Sequence, residues 1–287
     1  MTLYPIESGN FKLDGGAMFG VVPKTLWEKT NPADNNNRIK MATRSLLIEH
    51  EKKLILIDTG LGNKQSDKFF GYYDLWGNHS IENSLKNYGF NKNDITDVFF
   101  THLHFDHCGG AIEINKKGDF RPAFNNASFW VHEDHWNWAT HPNPREKASF
   151  LKENILPMQE SGQLKFIENK ESSGILKATE IYPGISVHFA NGHTEAQMLP
   201  RFTYKEKTII FIADLLPTHG HIPLPYIMGY DTRPLLTLTE KEKFLKQAAE
   251  QKYVIYLQHD NYSECCTVEQ TDRGVRLKET FTLSEIL

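Results

Sequence analysis

Four side chains that can bind a metal ion fall close together in the sequence: His102, His104, Asp106 and His107. They follow the apolar run Val98-Phe99-Phe100, a pattern that predicts a buried strand. Alternate residues of an extended chain face the same side, so the first two imidazoles should converge. Imidazole nitrogen and carboxylate oxygen are ligands that zinc takes in proteins. The cluster therefore predicts a metal site.

Three further candidate ligands each follow an apolar run that predicts a strand. They are His193 after 185–190, Asp214 after 208–213 and His259 after 253–258. Strands that end at one edge of a sheet deliver their side chains into the same crevice. Together with the first cluster these residues exceed the four ligands of one tetrahedral zinc ion. The set predicts two metal ions, with Asp214 bridging them and a water or hydroxide between them.

The order His-x-His-x-Asp-His, then Gly-His, then a strand ending in Asp and a strand ending in His, resembles the metallo-β-lactamase superfamily. The resemblance covers roughly residues 40 to 260. It implies an α/β fold, a four-layer αββα sandwich with a dinuclear site at one edge of the sheets. It also implies two divalent metal ions, zinc in preference to manganese or iron. The implied ligands are His102, His104 and His193 for the first ion, Asp106, His107 and His259 for the second, and Asp214 for both.

Within that superfamily the chain is similar to acyl-homoserine lactonases and methyl parathion hydrolase. This similarity implies that a metal-bound hydroxide opens an ester-like bond, with a lactone as the expected substrate. Asp106 and Asp214 would be the catalytic carboxylates, Asp106 also as a proton carrier. Alternatives are aryl ester or phosphotriester hydrolysis, a thioesterase like glyoxalase II, and an iron-dependent redox member of the fold. A purely structural metal site is disfavoured, since such sites are closed.

Two positions depart from the family pattern. Gln197 stands where many members have a second histidine after the Gly-His ligand, and Pro217 stands where some lactonases have a substrate-orienting tyrosine. Either other side chains then contact the substrate, or the substrate differs from that of those lactonases. The candidates are His219, His221, Tyr226, Tyr230 and Trp136.

The chain is expected to form a single domain over 1–287, with an N-terminal segment over 1–40 and an aromatic helical insertion over about 133–160. The runs 44–49 and 53–60 predict a hairpin, and Asp58 at its end is expected to brace a neighbour of the metal rather than bind it. Helices are predicted over 80–89 and 237–251. Two local predictions are a tight turn between strands at Gly15-Gly16 and a short helix or turn over 111–120.

Composition limits the classes of partner. The 287 residues carry a net charge of −4, without the basic field that a nucleic-acid-binding protein needs. The three cysteines, two of them adjacent, make a poor disulfide framework and favour a reducing compartment. Neither a signal peptide nor an apolar span is visible, so a cytoplasmic location, a small-molecule substrate and no membrane partner are expected. The aromatic N-terminal segment suggests a homodimer.

Overall fold

A computed structural model describes residues 1–167 and 174–286. The chain divides into two compact units, unit 1 with Met1–Phe11 and Ala42–Lys170, and unit 2 with Lys12–Met41 and Glu171–Leu287. The expected single domain stays a prediction. Among the described helices, none has the length and apolar character needed to cross a bilayer.

The first eight strands build two sheets. In chain order they are β1 (Thr2–Asp14), β2 (Arg38–His50), β3 (Lys53–Ile57), β4 (Asp97–Phe99), β5 (Ile112–Ile114), β6 (Phe120–Pro122), β7 (Ser128–His132) and β8 (Leu164–Ile167). One sheet has the strand order β1-β2-β3-β4-β7-β8, while β5 and β6 form a separate hairpin. The pairs β3–β4 and β4–β7 are parallel, so these three strands end at the same edge. That edge carries Asp58 and the His102 cluster.

A third sheet, of seven strands, belongs to the later part of the chain. Its strands are β9 (Thr179–Tyr182), β10 (Ile185–Ala190), β11 (Gln197–Tyr204), β12 (Lys207–Phe211), β13 (Val254–Tyr256), β14 (Cys265–Thr271) and β15 (Gly274–Phe281). They lie in the order β15-β14-β13-β12-β11-β10-β9. β12 and β13 are parallel, and β10 has their direction because it is separated from β12 by one antiparallel strand. The chain therefore leaves all three at one edge, towards His193, Asp214 and His259.

The described α-helices are α1 (Gly15–Phe19), α2 (Lys24–Trp27), α3 (Asp67–Tyr73), α4 (Ile81–Asn87), α5 (Phe105–Cys108), α6 (Glu133–Thr140), α7 (Lys152–Glu160) and α8 (Pro234–Gln251). Ser80 caps α4 as predicted, because its hydroxyl accepts the N–H of Asn83. α6 and α7 lie within the predicted helical segment. α8 begins earlier than predicted, since Pro234 is acceptable in a first helical turn.

Apolar positions of sheet and helices form the core of unit 1. Leu47, Leu56, Val98 and Phe129 of the strands pack in one buried cluster. The helices contribute further buried residues to the same cluster, namely Ile81, Leu85, Trp136, Ala139, Ile155 and Met158. The predicted hairpin is confirmed, since β2 and β3 pair with Leu46 opposite Ile57. Because these strands are buried on both faces, packing holds them in place. The sheet edge that carries the candidate ligands is held in place with them.

The structure corrects two local predictions: the tight turn at Gly15-Gly16 was wrong, and of the helix or turn predicted over 111–120 only a turn is present, at 115–119. Residues 111–120 contain the β5–β6 hairpin, whose turn is closed by Asn115, a side chain that accepts the N–H groups of Lys117 and Asp119. Gly15 and Gly16 begin helix α1, because the Asp14 carboxylate accepts the N–H of Ala17 at 2.7 Å and caps it. In both cases a side-chain hydrogen bond to the backbone decided the local structure.

Candidate metal centre

The first ligand cluster lies where the chain leaves β4 and enters α5. His102, His104, Asp106 and His107 are all buried, with at most 8% exposure. Nε2 of His102 lies 3.1 Å from Nδ1 of His104, and the rings of His102 and His107 are 3.8 Å apart. Oδ1 of Asp106 lies 3.8 Å from Nε2 of His107. The predicted convergence of these side chains is confirmed within unit 1.

Asp58 determines how two of these imidazoles are oriented. Its Oδ2 accepts a hydrogen bond from Nδ1 of His107 at 3.0 Å, and both its oxygens accept from Thr101, through N–H and Oγ1. Because the Thr101 hydroxyl donates its proton to Asp58, it accepts from Nδ1 of His102 at 3.1 Å. Nε2 of His102 and of His107 is therefore the unprotonated nitrogen that can bind a metal. Asp58 thus makes the bracing contact that the sequence predicted, to the candidate ligand His107.

Glu146 orients the third imidazole with the opposite tautomer. Its Oε1 accepts from Nε2 of His104 at 2.9 Å, and its Oε2 accepts from Nε1 of Trp138 at 2.6 Å and from Nδ2 of Asn143 at 3.1 Å. The proton of His104 is thereby held on Nε2, and the lone pair lies on Nδ1. This lone pair faces that of His102 Nε2 at 3.1 Å. Two facing lone pairs repel unless a cation binds both, so the donor set fits a metal ion.

The second cluster lies in unit 2 and is arranged around one carboxylate. Oδ2 of Asp214 lies 3.1 Å from Nε2 of His193, and Oδ1 lies 3.0 Å from Nε2 of His259. All three residues are buried. This carboxylate thus presents one oxygen to each of the two imidazoles. Among the described residues, seven potential metal ligands thus fall into two groups.

Asp231 completes the surroundings of His193. Its Oδ1 accepts from Nδ1 of His193 at 2.9 Å, which leaves Nε2 directed at Asp214. Burial disfavours a charged imidazole, but the carboxylates of Asp214 and Asp231 outweigh it and raise the pKa of His193 to about 10. The cluster therefore favours a positive charge at this nitrogen, either a proton or a metal cation in its place.

His221 is a predicted substrate contact, and both of its ring nitrogens have hydrogen-bond partners within unit 2. Its Nδ1 lies 2.8 Å from Oγ1 of Thr218, its Nε2 donates to the carbonyl of Met18 at 2.9 Å, and its ring stacks on Phe19 at 4.2 Å. Burial lowers the pKa of His221 to about 3. It is a neutral residue that ties the segment of α1 to the loop after β12.

The other predicted substrate contacts differ in exposure. His219 binds Oδ2 of Asp260 through its backbone N–H at 2.8 Å and through Nδ1 at 2.6 Å. The Tyr226 ring lies edge-on to Phe19, and Tyr230 is 41% exposed. Trp136 is only 6% exposed and belongs to the core of unit 1. Their contacts with a substrate stay predictions.

The two departures from the family pattern occupy different environments. Gln197 begins β11, is fully buried, and neither atom of its amide makes a hydrogen bond with a described residue. A buried amide of this kind is costly unless water or a ligand binds it. Pro217 lies in the loop after the Asp214 turn and supplies no donor.

Glu146 and Asp231, which orient His104 and His193, were not predicted from the sequence. Each lies about 40 positions from its histidine and outside any strand pattern. Glu146 lies in the turn segment between α6 and α7, and Asp231 lies three residues before α8 begins. The only usable signal would have been the general need of a ligating histidine for an acceptor at its other nitrogen.

Residues 40–259 match the sequence model of the Metallo-beta-lactamase superfamily. The chain belongs to this superfamily. The match includes all seven candidate ligands. The superfamily fold is an α/β sandwich, as the sequence predicted, and the chain is a hydrolase of that fold.

Solved structures and curated proteins that are similar to this chain include a probable hydrolase and lactonases. A probable metal-dependent hydrolase from Staphylococcus aureus is 30% identical, with a TM-score of 0.84 and 98% of each chain covered. AidC, a dizinc quorum-quenching lactonase solved with a product, has the same fold at 22% identity, a TM-score of 0.76, and coverage of 97% of this chain and 94% of its own. The N-acyl homoserine lactonase of Bacillus thuringiensis is 26% identical over 227 residues, which cover 75% of this chain and 79% of that protein.

Proposed function

We propose that the protein is a dinuclear metal-dependent hydrolase that opens the ring of a lactone, with N-acyl homoserine lactones as the substrate class. The observation that carries this proposal is the orientation of four histidines. In each, one ring nitrogen is held by a protein acceptor and the other faces a second candidate ligand. Such paired constraints are typical of ligating histidines. The substrate class is supported by the lactonase relatives.

The proposed assignment uses every candidate ligand. One ion would be held by His102, His104 and His193, the other by Asp106, His107 and His259, and both by Asp214. Imidazole and carboxylate donors favour zinc over harder cations, and AidC is a dizinc enzyme. When bound, two such ions supply an activated water at neutral pH and polarise the ester carbonyl.

Side chains of the protein would orient the imidazole ligands and transfer the proton. Asp58 and Glu146 keep the imidazoles of His107 and His104 in the ligating tautomer. Asp106 is a buried carboxylate within reach of His107, and we propose that it carries a proton to the alkoxide that leaves when the ring opens. A buried, water-excluding surround strengthens each of these charge interactions.

The test is a panel of substrates assayed with the full chain loaded with zinc, manganese or iron. We expect the ring of an N-acyl homoserine lactone to open faster than an aryl ester, a thioester or a phosphotriester is hydrolysed. Chelation should abolish turnover, and added zinc should restore it. If the metal-loaded chain hydrolyses none of these substrates, the proposed function is wrong. An absorption spectrum separates a zinc enzyme from an iron-dependent redox protein, because zinc is colourless.

A further inference from the structure

Helix α8 carries two consecutive buried charges, Glu240 and Lys241, with 7% and 1% exposure. Neighbours on a helix point about 100° apart, so the two side chains leave in different directions. Buried charges are costly unless hydrogen bonds satisfy them. Both are satisfied here by backbone groups of two different loops.

Glu240 holds the loop that carries His193. Its Oε1 accepts the N–H of Asn191 at 2.9 Å, and its Oε2 accepts the N–H of Gly192 at 3.0 Å. A Cβ on Gly192 would lie 2.3 Å from the backbone nitrogen of Thr237, so the loop lies directly against α8. The two amides immediately precede the ligand, and their position sets where its backbone begins.

The residues just before α8 complete this attachment. Thr232 donates to the carbonyl of His193 through its N–H at 3.1 Å and through Oγ1 at 3.0 Å. Arg233 donates through its backbone N–H to the Gly192 carbonyl at 2.8 Å and through Nη1 to the Asn191 carbonyl at 2.6 Å. Glu240 of α8 thus binds N–H groups of this loop, and the two residues that precede α8 bind its carbonyl groups.

Lys241 holds a second loop. Its Nζ donates to the carbonyls of Tyr226 at 2.8 Å, Pro223 at 3.0 Å and Leu224 at 3.4 Å. An ammonium group has three donors, and three carbonyls receive them. Within this loop the N–H of Tyr226 binds the Pro223 carbonyl at 2.9 Å, and the N–H of Ile227 binds that of Pro225 at 3.0 Å. Burial lowers the pKa of Lys241 to about 7, which is the cost of this placement.

We propose that Glu240 and Lys241 are positioning residues with separate tasks, Glu240 for the metal ligand His193 and Lys241 for the loop 223–227 that carries the predicted substrate contact Tyr226. The roles rest on the proposed function, because they assume that His193 binds metal and that the loop meets a lactone. A merely structural role would make both residues interchangeable supports of helix α8. Separate tasks instead require that each substitution affects one loop and spares the other.

The experiment compares Glu240→Ala and Lys241→Met in the zinc-loaded full chain by hydrogen–deuterium exchange and chelator competition. Glu240→Ala should speed amide exchange at 191–193 by about ten-fold, as expected for losing hydrogen bonds to a charged acceptor, and leave 223–227 unchanged. It should weaken metal binding by about 10- to 100-fold. Lys241→Met should speed exchange only at 223–227 and raise the KM for a lactone, with metal affinity and kcat nearly unchanged.

Matched variants separate these effects from loss of charge or helix stability. Glu242→Ala and Lys243→Met alter outward-facing neighbours on the same helix, where Glu242 pairs with Lys246, and should change neither loop. Glu240→Gln keeps one acceptor oxygen and should recover part of the metal affinity. If Glu240→Ala and Lys241→Met loosen both loops equally, or neither loop, the assignment is wrong. If the wild-type chain binds zinc but opens no lactone, the proposed substrate class fails, while exchange and metal affinity still test the positioning roles.

Discussion

The carboxylate of Asp58 accepts a hydrogen bond from Nδ1 of His107 at 3.0 Å, and neither side chain has any exposure to solvent. The two residues are 49 positions apart and are brought together by the parallel pairing of β3 with β4. A buried carboxylate in this place both selects the tautomer of His107 and increases the basicity of its other nitrogen.

We expect Asp58→Asn to weaken metal binding by about 10- to 100-fold, with little change in the fold. An amide of equal size loses the negative charge, and its NH₂ group can face Nδ1 and favour the wrong tautomer. Chelator competition measures the affinity, and Asp272→Asn, which alters an exposed carboxylate in the β14–β15 turn, serves as the control. An unchanged metal affinity in Asp58→Asn would show that Asp58 does not influence metal binding by His107.

Asp106→Asn should release one of the two proposed ions and leave the other bound. Asparagine is a neutral, weaker ligand and cannot carry a proton, so turnover should fall by about 10²- to 10⁴-fold. Metal content per chain is measured by mass spectrometry beside the lactone assay. Retention of both ions with full activity would remove Asp106 from the proposed centre.

His188 should make the fold sensitive to acid. Burial, together with the charge of Arg201, lowers the pKa of His188 to about 4 from 6.5. Between these values the unfolded chain binds a proton that the folded chain does not, so stability is lost as the pH falls from about 6.5 to about 4. The loss amounts to at most about 3 kcal/mol.

His188→Leu removes this linkage. Urea unfolding of both proteins at pH 7 and pH 4, with metal removed by a chelator, should show a free energy of unfolding that falls less steeply in the variant. Parallel pH dependence of the two proteins would mean that His188 takes up its proton equally in both states.

Gly109→Ala should destabilise the fold by about 1–3 kcal/mol and weaken metal binding. A Cβ there would lie 2.1 Å from the carbonyl oxygen of Leu61. The segment cannot easily move away, because the N–H of Thr59 binds the carbonyl of His107, two residues earlier, at 2.7 Å. Gly71→Ala is the control, because a Cβ at this α3 position meets no atom within 4 Å. Thermal unfolding should show a lower Tm for the first variant and an equal or higher Tm for the control.

Several features were determined by the sequence itself. The spacing of His102 and His104 brings their nitrogens together because it follows an extended chain, and this depends only on local backbone geometry. The apolar runs before Asp214 and His259 likewise predicted strands whose ends carry candidate metal ligands. Such patterns depend on neighbours in the chain, so a single sequence can reveal them.

The tertiary structure decided what depends on distant residues. Glu146 and Asp231 meet His104 and His193 only after folding. Each carboxylate selects which ring nitrogen of its histidine can bind a metal. Glu240 and Lys241 read as ordinary helix residues until the packing of α8 buries them against two loops. The sequence determined the types and the order of the candidate ligands, whereas long-range packing decided their orientation, because hydrogen-bond partners far apart in the chain leave no periodic pattern.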